Sequence, residues 1–410
     1  MAGCTGSGGG TQNVFTISSW VCGRGFGLSA SLQILAIAKL LLWFAPRNPS
    51  RPASPTPSFE IMNTFLGVAI IPGMSAVNVL RRRCLQGLLG SACLPWQAVR
   101  AGAPVVLRLS HVVAHHTPKG LALQRFAQEL AAISAGKMQV QIYANSQLLS
   151  DDDEMQALQL GAVDMLAPSL SKFGRLGFPE FELFDLPFLF QDAAQVHRVM
   201  QGRVGQALLA GLQRQRLVGL GYLDNGFKHM SANRALLEPQ DFVGQRLRVQ
   251  SSRVIAHQMR ALGAQPVVLD FGQTRRALAM GVVDGTENPI SNFWTQRMHE
   301  AQTDVSLTSH GYLGYCIVVH QRFWQYLSPL QRAWVEQALQ GALAWGNVQA
   351  QQRNTEDLQA LRASGHCRLH TIHAAQRQRL RQALEPVYQG LAQRIGPQWL
   401  VQLEKERAAA

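Results

Sequence analysis

From residue 105 onward the chain alternates between two hydrophobic rhythms. Val105–Val113 (VVLRLSHVV) is rich in β-branched residues and partly alternates apolar with polar positions, the period of a strand. Thr117-Pro118 then sets a proline in the first turn of a helix, and Leu121, Leu123, Phe126, Leu130 and Ile133 continue it at helical spacing. Met138–Tyr143 reads as the next strand. Ser150 followed by Asp151, Asp152, Asp153 and Glu154 reads as a helix cap with acids in the first turn, where the helix dipole favours them. Met155–Leu160 continues that helix, and Ala162–Ala167 returns to strand. The rhythm recurs with strands at Leu217–Leu223, Gln245–Val249 and Gln265–Leu269, helices at Arg253–Leu262 and Gln273–Met280, and a turn at Val282–Gly285 into another strand. Strand–helix alternation predicts parallel α/β sheet, whose strands bind small ligands at their carboxyl ends. Gln321–Leu361 and Ala374–Lys405 are long, rich in Gln, Ala and Leu, and helical. The prediction is α/β, two lobes, with long C-terminal helices packed across both.

The first hundred residues follow no such rhythm. Residues 1–12 are mostly Gly, Ser and Thr, and residues 46–58 (PRNPSRPASPTPS) are a Pro/Ser-rich run. Leu28–Phe44 is largely apolar but carries Lys39 and falls short of the about 20 apolar residues a membrane span wants. An over-long reading frame gives such a composition, with Met62 and Met74 available as later starts; the sequence leaves open whether residues 1–61 exist in the native protein. From Met74 an export signal becomes legible: Arg81-Arg82-Arg83, an apolar stretch Cys84–Trp96, and small-residue cleavage sites around Ala98–Ala103. Arg81-Arg82-Arg83-Cys84-Leu85 is similar to a twin-arginine signal, with a general secretory signal as the alternative. Residues 1–103 are thus read as N-terminal extension and signal peptide, with the signal at 74–101.

Charge changes the picture only after it is divided. The formal net charge is +13. Residues 1–100 hold 8 Lys and Arg against the single acid Glu60, so more than half the excess lies outside the α/β region. No Lys/Arg stripe with interleaved aromatics follows residue 101, and nucleic acid is excluded as a partner. Charged residues are only 15% of the chain, against roughly 25% in an ordinary soluble protein, which excludes a disordered or coiled-coil chain. Six Cys without zinc spacing exclude a disulfide scaffold. Signal cleavage would leave Cys316 and Cys367, read as two buried free thiols, with a pair in an oxidising compartment as the alternative.

Candidate chemistry is sparse. There is no GxSxG, GxxxxGK[ST], or GxGxxG after a strand. His111 and His115 stand four apart beside His116, but no carboxylate near in sequence completes a metal site, and no metal or cofactor is expected. What remains is cations and amides at strand ends: Lys228, Arg248 and Asn288. Arg246 and Arg248 share one strand face, with Leu247 on the other. The rigid fork of arginine binds carboxylate bidentately. Asn288, in Glu287-Asn288-Pro289, reads as a turn residue that can donate and accept. These features point to an exported α/β protein that binds an acid.

Five segments carry a resemblance: LSHVVAHHTPKG (109–120), FELFDLPFLF (181–190), DNGFKHMSANRALLEPQDFVGQRLRVQSS (224–252), VVDGTENPISNFW (282–294) and SHGYLGYCIVVHQRFW (309–324). From about Val105 to about Pro397 the chain resembles the extracytoplasmic solute-binding proteins of tripartite ATP-independent periplasmic (TRAP) transporters, and most of all the subgroup that binds four-carbon dicarboxylates. The resemblance implies a two-lobed periplasmic binding protein of the Venus-flytrap kind, with the ligand in the cleft between lobes and a long helix spanning both. Lobe I is expected at 104–225 plus 314–353, and lobe II at 226–313 plus 354–400. Arg248 is similar to the family's carboxylate-clamping arginine, Asn288 to the amide on the same group, and Lys228 to a second cation for the distal carboxylate. Phe271 resembles the aromatic wall, and Ser169 and His111 the lobe I side. The chain departs from the pattern at Ala114-His115-His116-Thr117, where an acid is expected near His115, and at Gly272–Arg276. Both departures add positive charge near the cleft. The implied protein is no enzyme; it is a monomer that takes a small carboxylate, such as malate, succinate or fumarate, and hands it to small and large TRAP membrane subunits. A periplasmic sensory component, or a binder of another carboxylate such as a 2-oxoacid, is the alternative.

Overall fold

The structure is a computed structural model that describes residues 103–409. The export signal at 74–101 and the extension before it lie outside the described residues. The strands are β1 (Val105–Ser110), β2 (Met138–Tyr143), β3 (Met165–Leu166), β4 (Leu217–Ala232), β5 (Arg246–Val249), β6 (Gln265–Val268), β7 (Gly285–Asn288), β8 (Asp304–His320) and β9 (Arg368–Thr371). The helices are α1 (Pro118–Ile133), α2 (Glu154–Gln159), α3 (Ala193–Gln201), α4 (Arg203–Gly211), α5 (Arg253–Ala261), α6 (Thr274–Ala279), α7 (Ile290–Thr295), α8 (Gln321–Tyr326), α9 (Pro329–Ser364), α10 (Ala374–Ala383), α11 (Glu385–Ile395) and α12 (Pro397–Ala408).

The sheet order is β2-β1-β3-β8-β4-β7-β5-β6, with β9 beside β8. At one end, β1 pairs in parallel with β2 and β3; at the other, β5 pairs in parallel with β6 and β7. The long strands β4 and β8 are antiparallel to each other and join these two halves. β3 pairs with the last part of β8, and β7 with the last part of β4, so each lobe is closed by a different stretch of the same two strands. Their register shifts three times, between Gly219 and Gly221, between Asp224 and Gly226, and between Lys228 and Met230. Gly226 sits at the second shift with φ +148°, a conformation that disfavours a side chain, and a Cβ there would lie 2.8 Å from Asn354 Nδ2.

The apolar stripes close over both faces. Leu107 and Leu109 of β1, Phe126 and Leu130 of α1, and Val335, Leu339 and Ala342 of α9 share one buried cluster. Leu361, near the other end of α9, is buried with Phe271, Ile290 and Phe293. One 36-residue helix therefore packs against both lobes. Ser328 and Gln331 form a reciprocal cap at its start, with Pro329 in the first turn.

Several expected elements differ. The first strand ends at Ser110, and the strand expected over 162–167 is only Met165–Leu166. The strand expected over 217–223 runs on to Ala232, because β8 and then β7 supply partners for its polar second half. Asn288 closes β7; it is not in a turn. The helical stretch 374–405 is three helices, since Pro386 and Pro397 each open a new one. Cys316 and Cys367 are free thiols, the first buried and the second partly so.

Candidate ligand-binding site

A narrow cavity lies where β4 and β8 cross between the lobes, with Tyr315 and Lys228 in its wall. Arg248, Lys228, Asn288, Phe271 and Ser169 all line it, brought together from β5, β4, β7, the segment after β6 and the segment after β3.

Arg248 is the third residue of β5 and is 2% exposed. Its Nε and Nη2 both donate to the Leu269 carbonyl, at 3.0 and 2.8 Å. The guanidinium lies 5.7 Å from the centre of the Phe271 ring, a cation–π arrangement. Burial pulls its pKa down, against nearby carboxylates, but a guanidinium stays charged. Nη1 makes no hydrogen bond among the described residues. β5 and β7 place Arg248 level with Thr286, and Asn288 follows two residues on, on the same face. Asn288 Nδ2 donates to Thr286 Oγ1 at 3.4 Å.

Lys228 is also 2% exposed, with Nζ 2.8 Å from Glu287 Oε2 and 3.7 Å from Asp185 Oδ1. Burial pushes the Glu287 carboxyl up, and Lys228 opposes that. Gly311 faces Lys228 across the ladder; a Cβ there would come within 2.8 Å of Lys228 Cε. The glycine makes room for the lysine stem.

Two further lysines reach the cavity that the sequence reading did not single out. Lys119, in the first turn of α1, donates to the Ala167 carbonyl at 2.9 Å and sits 4.0 Å from the centre of the Tyr315 ring. Burial pulls its ammonium pKa down to about 8. Lys172 is ion-paired with both Asp151 and Glu154 and also donates to the Asp151 carbonyl. This corrects the expectation that Asp151 and Glu154 serve mainly to cap a helix. Ser150 Oγ does accept from Asp153 N, but both carboxylates turn into the cavity wall. The only local signal for Lys119 was its place in the TPKG segment; for Lys172, the run Ser169–Phe173 held none beyond Ser169.

The walls meet. Ser169 Oγ, from the β1–β3 half, donates to Gln250 Oε1 after β5 at 2.8 Å. Tyr315 OH accepts from Asn225 Nδ2 at 2.7 Å, and Ser291 Oγ donates to Asn225 Oδ1 at 2.8 Å. Four cations (Lys119, Lys172, Lys228, Arg248) and three carboxylates (Asp151, Glu154, Glu287) line the space. Such a buried, cation-rich, hydrogen-bonding cavity suits a small polyanion.

His111 stands apart. It is 0% exposed, it does not line the cavity, and neither ring nitrogen has a hydrogen-bond partner among the described residues. Burial holds its pKa down at about 3, so the ring is neutral. Its ring lies 6.4 Å from that of His115, and among the described residues no group of three His, Cys, Asp or Glu is arranged to hold a metal.

The family model described as "Bacterial extracellular solute-binding protein, family 7" matches residues 109–394. The chain belongs to that family. It is 43% identical over 332 residues to the C4-dicarboxylate-binding periplasmic protein DctP of Rhodobacter capsulatus, covering 80% of this chain and 100% of that one. The C4-dicarboxylate-binding protein DctB of Bacillus subtilis is 37% identical over 285 residues, 69% of this chain and 81% of that one. Among solved structures, a TRAP periplasmic solute-binding protein from Shewanella oneidensis with bound succinate superposes with TM-score 0.73 at 38% identity, covering 74% of this chain and 100% of that one. One from Pseudomonas aeruginosa with bound L-malate gives TM-score 0.68 at 34% identity, covering 70% of this chain and 100% of that one. This family 7 chain is therefore a TRAP-type extracytoplasmic solute-binding protein. The family is one of binders, not enzymes, and its members work with TRAP membrane components. Among the described residues, no helix is long and apolar enough to cross a membrane.

Proposed function

We propose that the chain captures a four-carbon dicarboxylate in this cavity and delivers it to the small and large TRAP membrane subunits. The observation that carries the reading is a buried guanidinium at 248, one edge fixed by Leu269 and Nη1 without a hydrogen bond among the described residues, in a cavity with three buried lysines. Relatives and neighbours at 34–43% identity are named for C4-dicarboxylates or hold succinate or malate. One ligand carboxylate takes Arg248 and Asn288. The distal one takes the lysines, Lys228 among them. Phe271 walls the guanidinium side, and Ser169 with Gln250 closes the gap between lobes. His111 supports the wall from behind, next to Val112 and Val113.

Lobe I comprises 104–225 with 314–353 and lobe II 226–313 with 354–400, which sets the hinge at the register shifts of β4 and β8. Closure excludes water and strengthens each charged contact, and the closed form is the one the membrane subunits recognise. The protein is exported to the periplasm by a signal at 74–101 and acts as a monomer.

Removing Arg248 would leave a buried carboxylate without its main partner, at about 3–5 kcal/mol. Arg248→Ala is therefore expected to weaken succinate binding by about a hundredfold or more in calorimetry. Affinity indistinguishable from wild type would reject the reading.

A further inference from the structure

The carboxylate of Asp151 lies where its own chemistry duplicates that of a ligand. It comes from the segment before α2, on the β1–β3 side, yet its Oδ2 accepts from Phe271 N at 3.2 Å and lies 4.0 Å from Arg248 Nη2, both on the β5–β7 side. Its other oxygen holds Lys172. One side-chain carboxylate thus lies between a guanidinium and an ammonium from opposite walls of the binding cavity. Burial pushes the Asp151 carboxyl up, but Lys172 and Arg248 outweigh it and hold the group below the usual carboxylate range, so it is an anion.

A helix-capping residue would not need any of this. The Asp151 carboxylate accepts no capping hydrogen bond from α2; the turn before it is held by Ser150 Oγ, which accepts from Asp153 N and donates to Asp153 Oδ2. The 4.0 Å gap to Arg248 is longer than a charge-assisted hydrogen bond of about 2.7–2.9 Å, so the pair is one that a better-placed carboxylate can replace.

We propose that Asp151 is a built-in anion that bridges the two lobes across the ligand cavity and that a bound dicarboxylate displaces from Arg248. This rests on the dicarboxylate reading above and adds a specificity-determining residue to it. With Asp151 on Arg248, part of the population is not competent to bind, and the apparent affinity falls by that fraction. A ligand must offer enough charge to outbid an internal carboxylate, which selects dianions over monocarboxylates.

The two consequences of removing Asp151 have opposite signs, and that makes them testable. In the whole protein, Asp151→Asn is expected to lower the melting temperature without ligand, because a cross-lobe bridge is gone. The same variant is expected to bind succinate about tenfold more tightly in calorimetry, and to gain more for the monocarboxylate butyrate than for succinate. Asp152→Asn is the control. It removes the same charge one residue away, from a side chain that is 58% exposed and paired with Arg175; less than about twofold change is expected from so exposed a charge. If Asp151→Asn does not fold, Asp151→Ser replaces it, keeping an acceptor for the Phe271 amide. Weaker succinate binding by the Asp151 variant would make the residue a support for Lys172 and overturn the proposal. Equal gains from the variants at 151 and 152 would reduce it to a general field effect and overturn it too. An Arg248→Ala protein that binds succinate like wild type overturns the dicarboxylate reading itself, and this proposal with it; a hundredfold loss there beside weaker binding at 151 sinks this proposal alone.

Discussion

Gly311 and Lys228 show how finely single residues set this site. The Cβ of an alanine at 311 would meet Lys228 Cε at 2.8 Å, and the lysine stem, whose Nζ lies 2.8 Å from Glu287 Oε2, would have to shift. Gly311→Ala is expected to weaken succinate binding by about tenfold, some 1.4 kcal/mol, with calorimetry as the check; an unchanged constant would mean Lys228 does not touch the ligand. Lys119 gives a pH signature. Its ammonium, with a pKa pulled down to about 8 by burial, is present below that pH and lost above it. Succinate affinity is therefore expected to fall as pH rises from 7 to 9, and a Lys119→Met protein is expected to show a flat profile. Part of the cavity is legible at this scale, since Arg248, Lys228 and Asn288 stand in long, distinctive segments, whereas Phe271 and Ser169 lie in short runs outside them. Lys119 and Lys172 are not legible, because nothing local marks a lysine as buried. Lys119 opens α1 like any surface lysine, and only the approach of Ala167 and Tyr315 from distant strands encloses it.

Among the elements, β4, β8 and α9 decide the architecture. The second half of β4, from Asp224 to His229, carries too many polar residues to read as strand from its own period. It is strand because β8 and β7 flank it, which is tertiary context overriding local preference. β8 escaped the pattern reading for the same reason: Ser306, Thr308, Ser309, His310 and Gly311 interrupt its apolar alternation. The helical rhythm over 321–361 is plain, but it is not one helix: Ser328 and Pro329 cap a new start that separates α8 from α9, and α9 runs on to Ser364, where Gly365 ends it. Leu339 is 2% exposed, in the cluster α9 shares with β1 and α1. Leu339→Ala is expected to cost about 2–5 kcal/mol of stability in urea unfolding. A loss below about 0.5 kcal/mol, the range of surface substitutions, would mean that α9 does not hold this core.

At the scale of the whole molecule, the lobes are joined by buried polar groups as well as by strands. His111 and His310 are buried and His229 is half-buried; loss of water pushes the pKa values of His111 and His229 down to about 3 and about 4 and pushes that of His310 down as well. An unfolded chain protonates these rings below pH 6.5, and the folded one does not. Their contribution to stability is present above pH 6.5 and is lost as pH falls towards the folded values, by up to about 1.4 kcal/mol per ring and pH unit. Glu154, Asp185 and Glu287, raised by burial, act in the opposite sense, holding their protons in the folded chain to higher pH than in the unfolded one. Ring-proton NMR separates the two: the three histidines are expected not to titrate between pH 8 and 5, and a midpoint near 6.5 at any of them would contradict its burial as a neutral ring. The central claim is that a carboxylate ligand is gripped between the lobes by Arg248. A crystal structure of the protein grown with succinate tests it most directly. The account predicts one succinate carboxylate within hydrogen-bond distance of both Arg248 and Asn288 and the other among Lys119, Lys172 and Lys228; succinate bound elsewhere, with Arg248 turned away from it, would contradict the account.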